Sequence, residues 1–338
     1  MGCRSRTFFL WLLVFMPGVG GLGRPTAPTA VEPEFSRERP RPIVFQTDWF
    51  PQAEHGGFYQ ALAKGFYTDA GLTVTLLPGG PGAGITLKVA RGDVDIGMNR
   101  SDTLMVAIVE QALPLLMVGA VTQHDYEALL VHADSPVRSF ADLDGRTIIA
   151  SPGQIWIEFL QRKFGVKFNL IPTRGSLGIF FTDREAIQQC VYTNEPFIAH
   201  QHGFRVRTLA LADAGYDSYT VMFCRRDFAQ NNPAATRAFV AASLRGWRDY
   251  LGRDPAPAFA EILQRNPNMS AELLAFSRGE MIRHHVTEGD ARRGEAPGRL
   301  SPARLREQLA TLLDLKILSV PVALGQVASW DFLPAEAR

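Results

Sequence analysis

The chain has 338 residues, 46% of them hydrophobic, enough to bury two cores of ordinary size. Its 35 basic and 34 acidic residues leave a formal net charge of +1, which excludes an overall field that would gather nucleic acid or an anionic membrane. Cys3, Cys190 and Cys224 lie far apart without CxxC or Cys/His spacing, so neither a zinc site nor a disulfide framework is expected, and Cys190 and Cys224 read as buried thiols.

Arg4 and Arg6 precede an apolar run over residues 8–16, which Pro17, Gly18, Gly20, Gly21 and Gly23 close. That order predicts a signal peptide over residues 1–23 and an exported protein. The run falls short of the roughly 20 apolar residues that span a bilayer. Gly18, Gly20 and Gly23 spell GxGxxG, but no strand and helix flank them, so a dinucleotide site is discarded. Pro25, Pro28, Pro33, Pro40 and Pro42, set among charged and small residues, predict a disordered leader over residues 24–42, with the folded body beginning near Ile43.

Residues 43–47 (IVFQT) predict a strand running into DWFPQAEHGGFYQALAKGFY, residues 48–67. Trp49, Phe50, His55, Phe58 and Tyr59 gather around Pro51 and the pair Gly56 and Gly57, while Phe58, Leu62 and Phe66 have helical spacing. Strand, aromatic turn and helix in succession is site architecture, the glycines allowing backbone to approach a ligand. An aromatic mini-core beneath a loop is the competing reading. A strand over residues 72–77 and the loop PGGPGAG, residues 78–84, lead into a helix over residues 85–91. Such a loop offers free backbone N–H groups to a carboxylate, sulfonate or phosphate. It lacks the Gly-Lys-Ser/Thr ending that ATP binding needs, and a tight crossover turn fits it equally. Residues 92–98 predict a third strand. Asn99 and Ser101 sit at its carboxyl end, where open α/β sheets bind ligands, unless Ser101 or Asp102 simply caps the following helix over residues 104–112. Residues 115–121 form a further strand.

The pattern then restarts. Strands are expected over residues 126–132 and 146–150, a loop ending in Gln154, a helix over residues 155–164, and a strand over residues 168–171. Residues 183–190 read as a helix and 191–193 as a short strand leading to Asn194, Glu195 and Pro196. A glutamate in front of proline does not continue a helix readily and is free to face a cleft. Strands over residues 208–212 and 219–224 follow, the second crossing back to the first lobe. Asn232 and Pro233 open a helix whose packed face is Phe239, Ser243, Trp247 and Tyr250. Helices over residues 257–264, 271–276 and 301–315 are scaffold. His284, His285 and Glu288 lack further ligands at metal spacing and read as a solvated face. The alternation predicts an α/β fold of two lobes, each a mostly parallel sheet flanked by helices: residues 43–125 with 222–338, and residues 126–221. With no GxSxG, HExxH, P-loop or Cys/His pairing, no catalytic residue, metal or cofactor is expected.

Over about residues 43–333 the chain resembles the NMT1/THI5-like (SsuA/THI5-like) family of ABC-transporter solute-binding proteins. The carriers are DWFPQAEHGGFYQALAKGFYTDAGLTV, ARGDVDIGM, SFADLDGRTIIASPG, the NEP tripeptide and NNPAATRAFVAASLRGWRDYL. The resemblance implies a two-lobed, type II periplasmic-binding-protein fold with two inter-lobe crossovers. It also implies a monomeric periplasmic or extracytoplasmic protein that delivers a small molecule to a permease. In pyrimidine-binding relatives, aromatic groups of the opening motif sandwich the ligand and the NEP glutamate hydrogen-bonds it. Carried over, Trp49 and Tyr59 stack on an aminopyrimidine, Glu195 accepts from its amino group, and Asp48, His55, Gly57, Gly80, Asn99, Ser101, Gln154 and Asn194 complete the expected site. Gln52, where many relatives have asparagine, and the glycine-rich loop keep an organosulfonate, a nitrate-like anion or a riboflavin-type precursor as alternative ligands. The family's pyrimidine-synthase branch, which uses its own histidine, bound pyridoxal phosphate and a cysteine-rich segment, is disfavoured. Asn99 and Thr103 stand where that branch has lysine and histidine, and residues 219–224 hold one cysteine.

Overall fold

The computed structural model describes residues 35–173 and 175–338. The predicted signal peptide and residues 24–34 of the predicted leader lie outside the described residues. The first sheet is built from β1 (Arg41–Gln46), β2 (Leu72–Leu77), β3 (Ile96–Arg100) and β4 (Leu115–Thr122). The second is built from β5 (Glu127–His132), β6 (Thr147–Ala150), β7 (Asn169–Pro172), β8 (Ile187–Val191) and β9 (Val206–Ala210), after which β10 (Thr220–Arg225) returns to the first. The strand orders are β2-β1-β3-β10-β4 and β7-β6-β8-β5-β9. In each sheet four strands run one way and one is antiparallel to its neighbours, β10 in the first and β5 in the second. Each antiparallel strand is the one that arrives from the other lobe. The chain therefore has a two-lobed α/β architecture with two crossovers, residues 123–126 and 211–219.

Helices of seven residues or more are α1 (Gly56–Ala63), α2 (Ile85–Arg91), α3 (Ser101–Val109), α4 (Ile155–Phe164), α5 (Glu195–Gln201), α6 (Pro233–Gly252), α7 (Ala256–Arg265), α8 (Ala271–Arg283) and α9 (Pro302–Asp314). α6 supplies the largest part of the first lobe's core. Its Phe239, Trp247 and Tyr250 are fully buried; the Phe45 and Phe58 rings lie tilted against each other at a centroid distance of 4.6 Å, and Phe58 meets Trp247 edge to face at 5.7 Å. Burying a large aromatic side chain contributes roughly 1.5–3 kcal/mol, so this cluster anchors the lobe. Among the described residues no helix is long and apolar enough to cross a membrane. Cys190 and Cys224 are buried free thiols in different sheets, on β8 and β10.

Two expectations need correction. The disordered leader ends earlier than Pro42: Phe35 packs against the core, and Arg41, at the start of β1, donates its N–H to Gly71 O at 2.9 Å in register with Leu72. Pairing with β2 and a half-buried phenyl ring recruit residues 35–42 into the fold. The helix expected over residues 183–190 is instead a turn followed by a strand, β8, which lies between β6 and β5. Its glutamines are held by side-chain bonds, although Gln188 Oε1 is buried without a partner among the described residues. Gln188 Nε2 donates to Ser176 O at 3.0 Å, and Gln189 Oε1 accepts from Ser151 N at 2.7 Å.

Candidate functional site

The carboxyl end of β1 is clipped to the end of β2. Thr47 N–H donates to Leu77 O at 3.1 Å, and Gly79 N–H donates to Trp49 O at 2.9 Å. A Cβ on Gly79 would lie 2.3 Å from Thr47 O, so glycine is required there by close approach. Gly80 adopts φ +141°, a conformation side chains resist, under the Phe50 ring. Trp49 and Phe50 project outward, 41% and 48% exposed, with their rings edge to face at 5.6 Å. Behind them Asp48 Oδ1 lies 2.8 Å from Nε2 of His55, which is fully buried and whose Nδ1 has no partner among the described residues. Asp48, Gly80, Thr86 and Asn99 line a cavity of about 250 Å³, across which Asn99 Nδ2 donates to Thr86 Oγ1 at 3.0 Å.

The second lobe answers from the end of β8. Glu195 opens α5, and its Oε2 accepts the Val191 N–H at 2.8 Å. Burial pushes its pKa up to about 7, with the carboxylates of Glu54 and Glu127 adding to the shift. Asn194 Oδ1 is buried without a partner among the described residues. The Thr193 hydroxyl donates to Oε1 of Glu54, a fully buried residue on the 3₁₀ turn Ala53–His55, and so joins the lobes. Burial raises the Glu54 pKa as well. Gln154 stands half-buried at the start of α4 and makes no side-chain capping bond.

Three expected site residues belong elsewhere. A Cβ on Gly57 would lie 2.2 Å from Trp247 Cδ2, so this glycine brings α1 against α6, and it is the helix, not a ligand, that approaches. Tyr59 is fully buried in the core beneath α7, with the Arg265 guanidinium 5.6 Å from its ring centroid, and does not stack in the cleft. Ser101 is fully buried, donating to Gln308 Oε1 at 2.8 Å and accepting the Tyr219 N–H at 3.1 Å. It neither faces a ligand nor caps α3.

Sequence reasoning also passed over the charge centre of the crossovers. Arg100, at the end of β3, donates to Asp125 Oδ2 at 2.5 Å, Glu127 Oε2 at 2.8 Å and Ser218 Oγ at 2.7 Å, and its Nε lies 3.5 Å from Asp102 Oδ1. Three carboxylates surround one guanidinium. Burial drives the Glu127 pKa up to about 7, against the pull of Arg100. Arg100 lies on β3 and Glu127 on β5, so this cluster too spans both lobes, and Gln189 donates to the remaining oxygen, Glu127 Oε1. The visible signal was an arginine directly after a strand-end asparagine, with acids at 125 and 127 flanking the crossover tyrosine. A larger cavity of about 500 Å³ opens beside the crossovers between α5, β9 and α8, with Tyr192, His200, Phe276, Glu280 and His284 on its walls. Among the described residues no cluster of His, Cys, Asp and Glu is arranged to hold a metal ion.

A family model described as NMT1/THI5 like matches residues 52–258. The chain is 24% identical over 246 residues to a 4-amino-5-hydroxymethyl-2-methylpyrimidine phosphate synthase of Aspergillus parasiticus, spanning 67% of this chain and 71% of that protein. It is 24% identical over 281 residues to the riboflavin-binding protein RibY of Chloroflexus aurantiacus, spanning 75% and 74%. Among solved structures, the periplasmic aliphatic sulphonate binding protein SsuA of Escherichia coli superposes with a TM-score of 0.61 at 16% identity, covering 85% of this chain and 91% of that one. These structural likenesses establish the two-lobed periplasmic-binding-protein fold.

Proposed function

The chain belongs to the NMT1/THI5-like family, and on that premise we propose that it is an exported solute-binding protein that captures a thiamine-pyrimidine-like heterocycle between its lobes and delivers it to an ABC importer. One observation carries the reading. Thr193, two residues before Glu195, bonds Glu54, next to His55, so the half-buried Glu195 and the Asp48–His55 pair flank a single inter-lobe contact. Trp49, exposed at the same strand end, offers a π-face to a planar ring. A carboxyl acceptor and an aromatic face suit an aminopyrimidine. The glycine loop beside the smaller cavity favours the second reading, a small anion such as a sulfonate.

A thermal-shift panel of 4-amino-5-hydroxymethyl-2-methylpyrimidine, ethanesulfonate and riboflavin tests the proposal. Ligand at 100 times its Kd stabilises by ≈ 2.7 kcal/mol, a rise of about 4 °C for a chain of this size. A rise with ethanesulfonate alone refutes the pyrimidine reading. Formation of a pyrimidine phosphate, even in a single turnover, by protein supplied with pyridoxal phosphate refutes the non-enzymatic one. Glu195→Gln should weaken pyrimidine binding about 10- to 100-fold, the equivalent of losing a charge-assisted hydrogen bond. It should also change the pH dependence of unfolding. A carboxyl whose pKa is about 7 when folded and about 4.3 when unfolded makes wild-type stability fall as pH rises between those values and level off above them. The variant should lack that part of the slope in urea titrations. Trp49→Ala should cost about 3- to 10-fold in pyrimidine affinity by calorimetry, while shifting stability by no more than about 0.5 kcal/mol because the ring is exposed.

A further inference from the structure

Glu54 has no part in the site described so far beyond its bond to Thr193, yet it is the most deeply buried acid at the cleft. Its two oxygens are in different situations. Oε1 accepts the Thr193 hydroxyl of the second lobe, whereas Oε2, equally buried, has no hydrogen-bond partner among the described residues. A buried carboxyl oxygen without a donor is costly, and folded proteins rarely leave one so. Among the described residues no arginine or lysine answers it: the guanidinium at the same end of the lobe, Arg100, is committed to Asp125, Glu127 and Asp102, and the adjacent His55 ring turns its Nε2 to Asp48. The next residue, His55, is also fully buried and also keeps a ring nitrogen, Nδ1, unpartnered. The Glu195 carboxyl is close enough for Glu54 to raise its pKa.

We propose that Glu54 is a second recognition carboxyl, whose Oε2 accepts an N–H from the solute while Glu195 accepts another, so that the cleft selects heterocycles presenting an amidine-type N–H edge and turns away anions. The assignment rests on the solute-binding reading above and narrows its ligand class. Only a carboxyl serves here, because it accepts through both oxygens at once. A glutamine has one acceptor oxygen, so either Thr193 or the solute would meet an NH₂ group instead. Both carboxyls accept N–H groups and, wherever either is ionised, repel a sulfonate or nitrate, which disfavours the anion alternative despite the glycine loop. Because Oε1 holds Thr193, the side chain that reads the solute also carries a contact that brings the lobes together.

The test compares two probes by calorimetry: 4-amino-5-hydroxymethyl-2-methylpyrimidine and its analogue with the amino group replaced by methyl. Full-length wild type should prefer the amino probe by at least about tenfold, in keeping with a lost charge-assisted hydrogen bond. In Glu54→Gln, checked for cooperative melting, that preference should shrink at least about fivefold. Should Glu54→Gln fail to fold, Glu54→Asp, which withdraws the carboxyl by one methylene, is read the same way. Wild type that separates the probes beside a variant that separates them equally overturns this proposal alone. Wild type that binds neither probe, or that binds ethanesulfonate more tightly than both, overturns the pyrimidine reading and this proposal together.

Discussion

Arg100→Met should lower stability by about 3–5 kcal/mol, the usual cost of removing one partner from a buried ion pair. For a chain of this size that is a fall of about 5–8 °C in Tm. The physical basis is the imbalance at the crossovers. Asp102, Asp125 and Glu127 are at most 9% exposed and share one guanidinium, itself only 20% exposed. Methionine restores much of the packing volume and none of the charge, so at neutral pH the carboxylates must either stay ionised without a counter-charge or take up protons. The pKa values of Asp125 and Glu127, already raised by burial, then rise further, and the folded state holds protons that the unfolded chain has lost. The deficit should therefore be largest near pH 8 and shrink as pH falls toward 5, which urea unfolding at several pH values measures. A deficit independent of pH would assign the loss to packing instead.

Gly57→Ala should be nearly as damaging, costing about 1–3 kcal/mol or more by overpacking. The added Cβ would lie 2.2 Å from Trp247 Cδ2, and the Trp247 ring is fully buried with no room to retreat. Across the same contact, a Cβ on Gly246 would lie 2.1 Å from Gly57 O, so backbone and ring interlock from both helices. The φ of Gly57 is not in the left-handed region, so the effect is one of space and not of backbone conformation. Chemical denaturation of the variant gives the magnitude. An unchanged midpoint would mean that α6 shifts away from α1 at no cost.

The alternation of strands and helices was legible because most strands carry their apolar residues on the positions the sheet buries, as Leu72, Val74 and Leu76 do on β2. β8 was not legible: Gln188 and Gln189 look like a solvated helix, and it is their bonds to Ser176, Ser151 and Glu127 that hold them inside a sheet. The aromatic turn was located correctly, but its residues could not be sorted from the sequence. Trp49 and Tyr59 are equally aromatic, and what separates them is that α6 and α7 cover α1, whereas among the described residues Trp49 is left exposed just beyond β1. Glu54 went unnoticed for a related reason. A lone acid beside glutamine and histidine reads as solvated until the other lobe's Thr193 closes over it.

The two crossovers also set an order of events during synthesis. The second lobe, β5 to β9, is one unbroken stretch, whereas the first lobe needs β10 between β3 and β4 and α6 against α1 before its core exists. At ordinary elongation rates those late pieces leave the ribosome on the order of ten seconds after β4. The middle of the chain can thus be finished while its beginning is still waiting, with the glycine face of α1 uncovered. For a protein exported as proposed above, that delay keeps the leading segment in the unfolded form that can be threaded across a membrane.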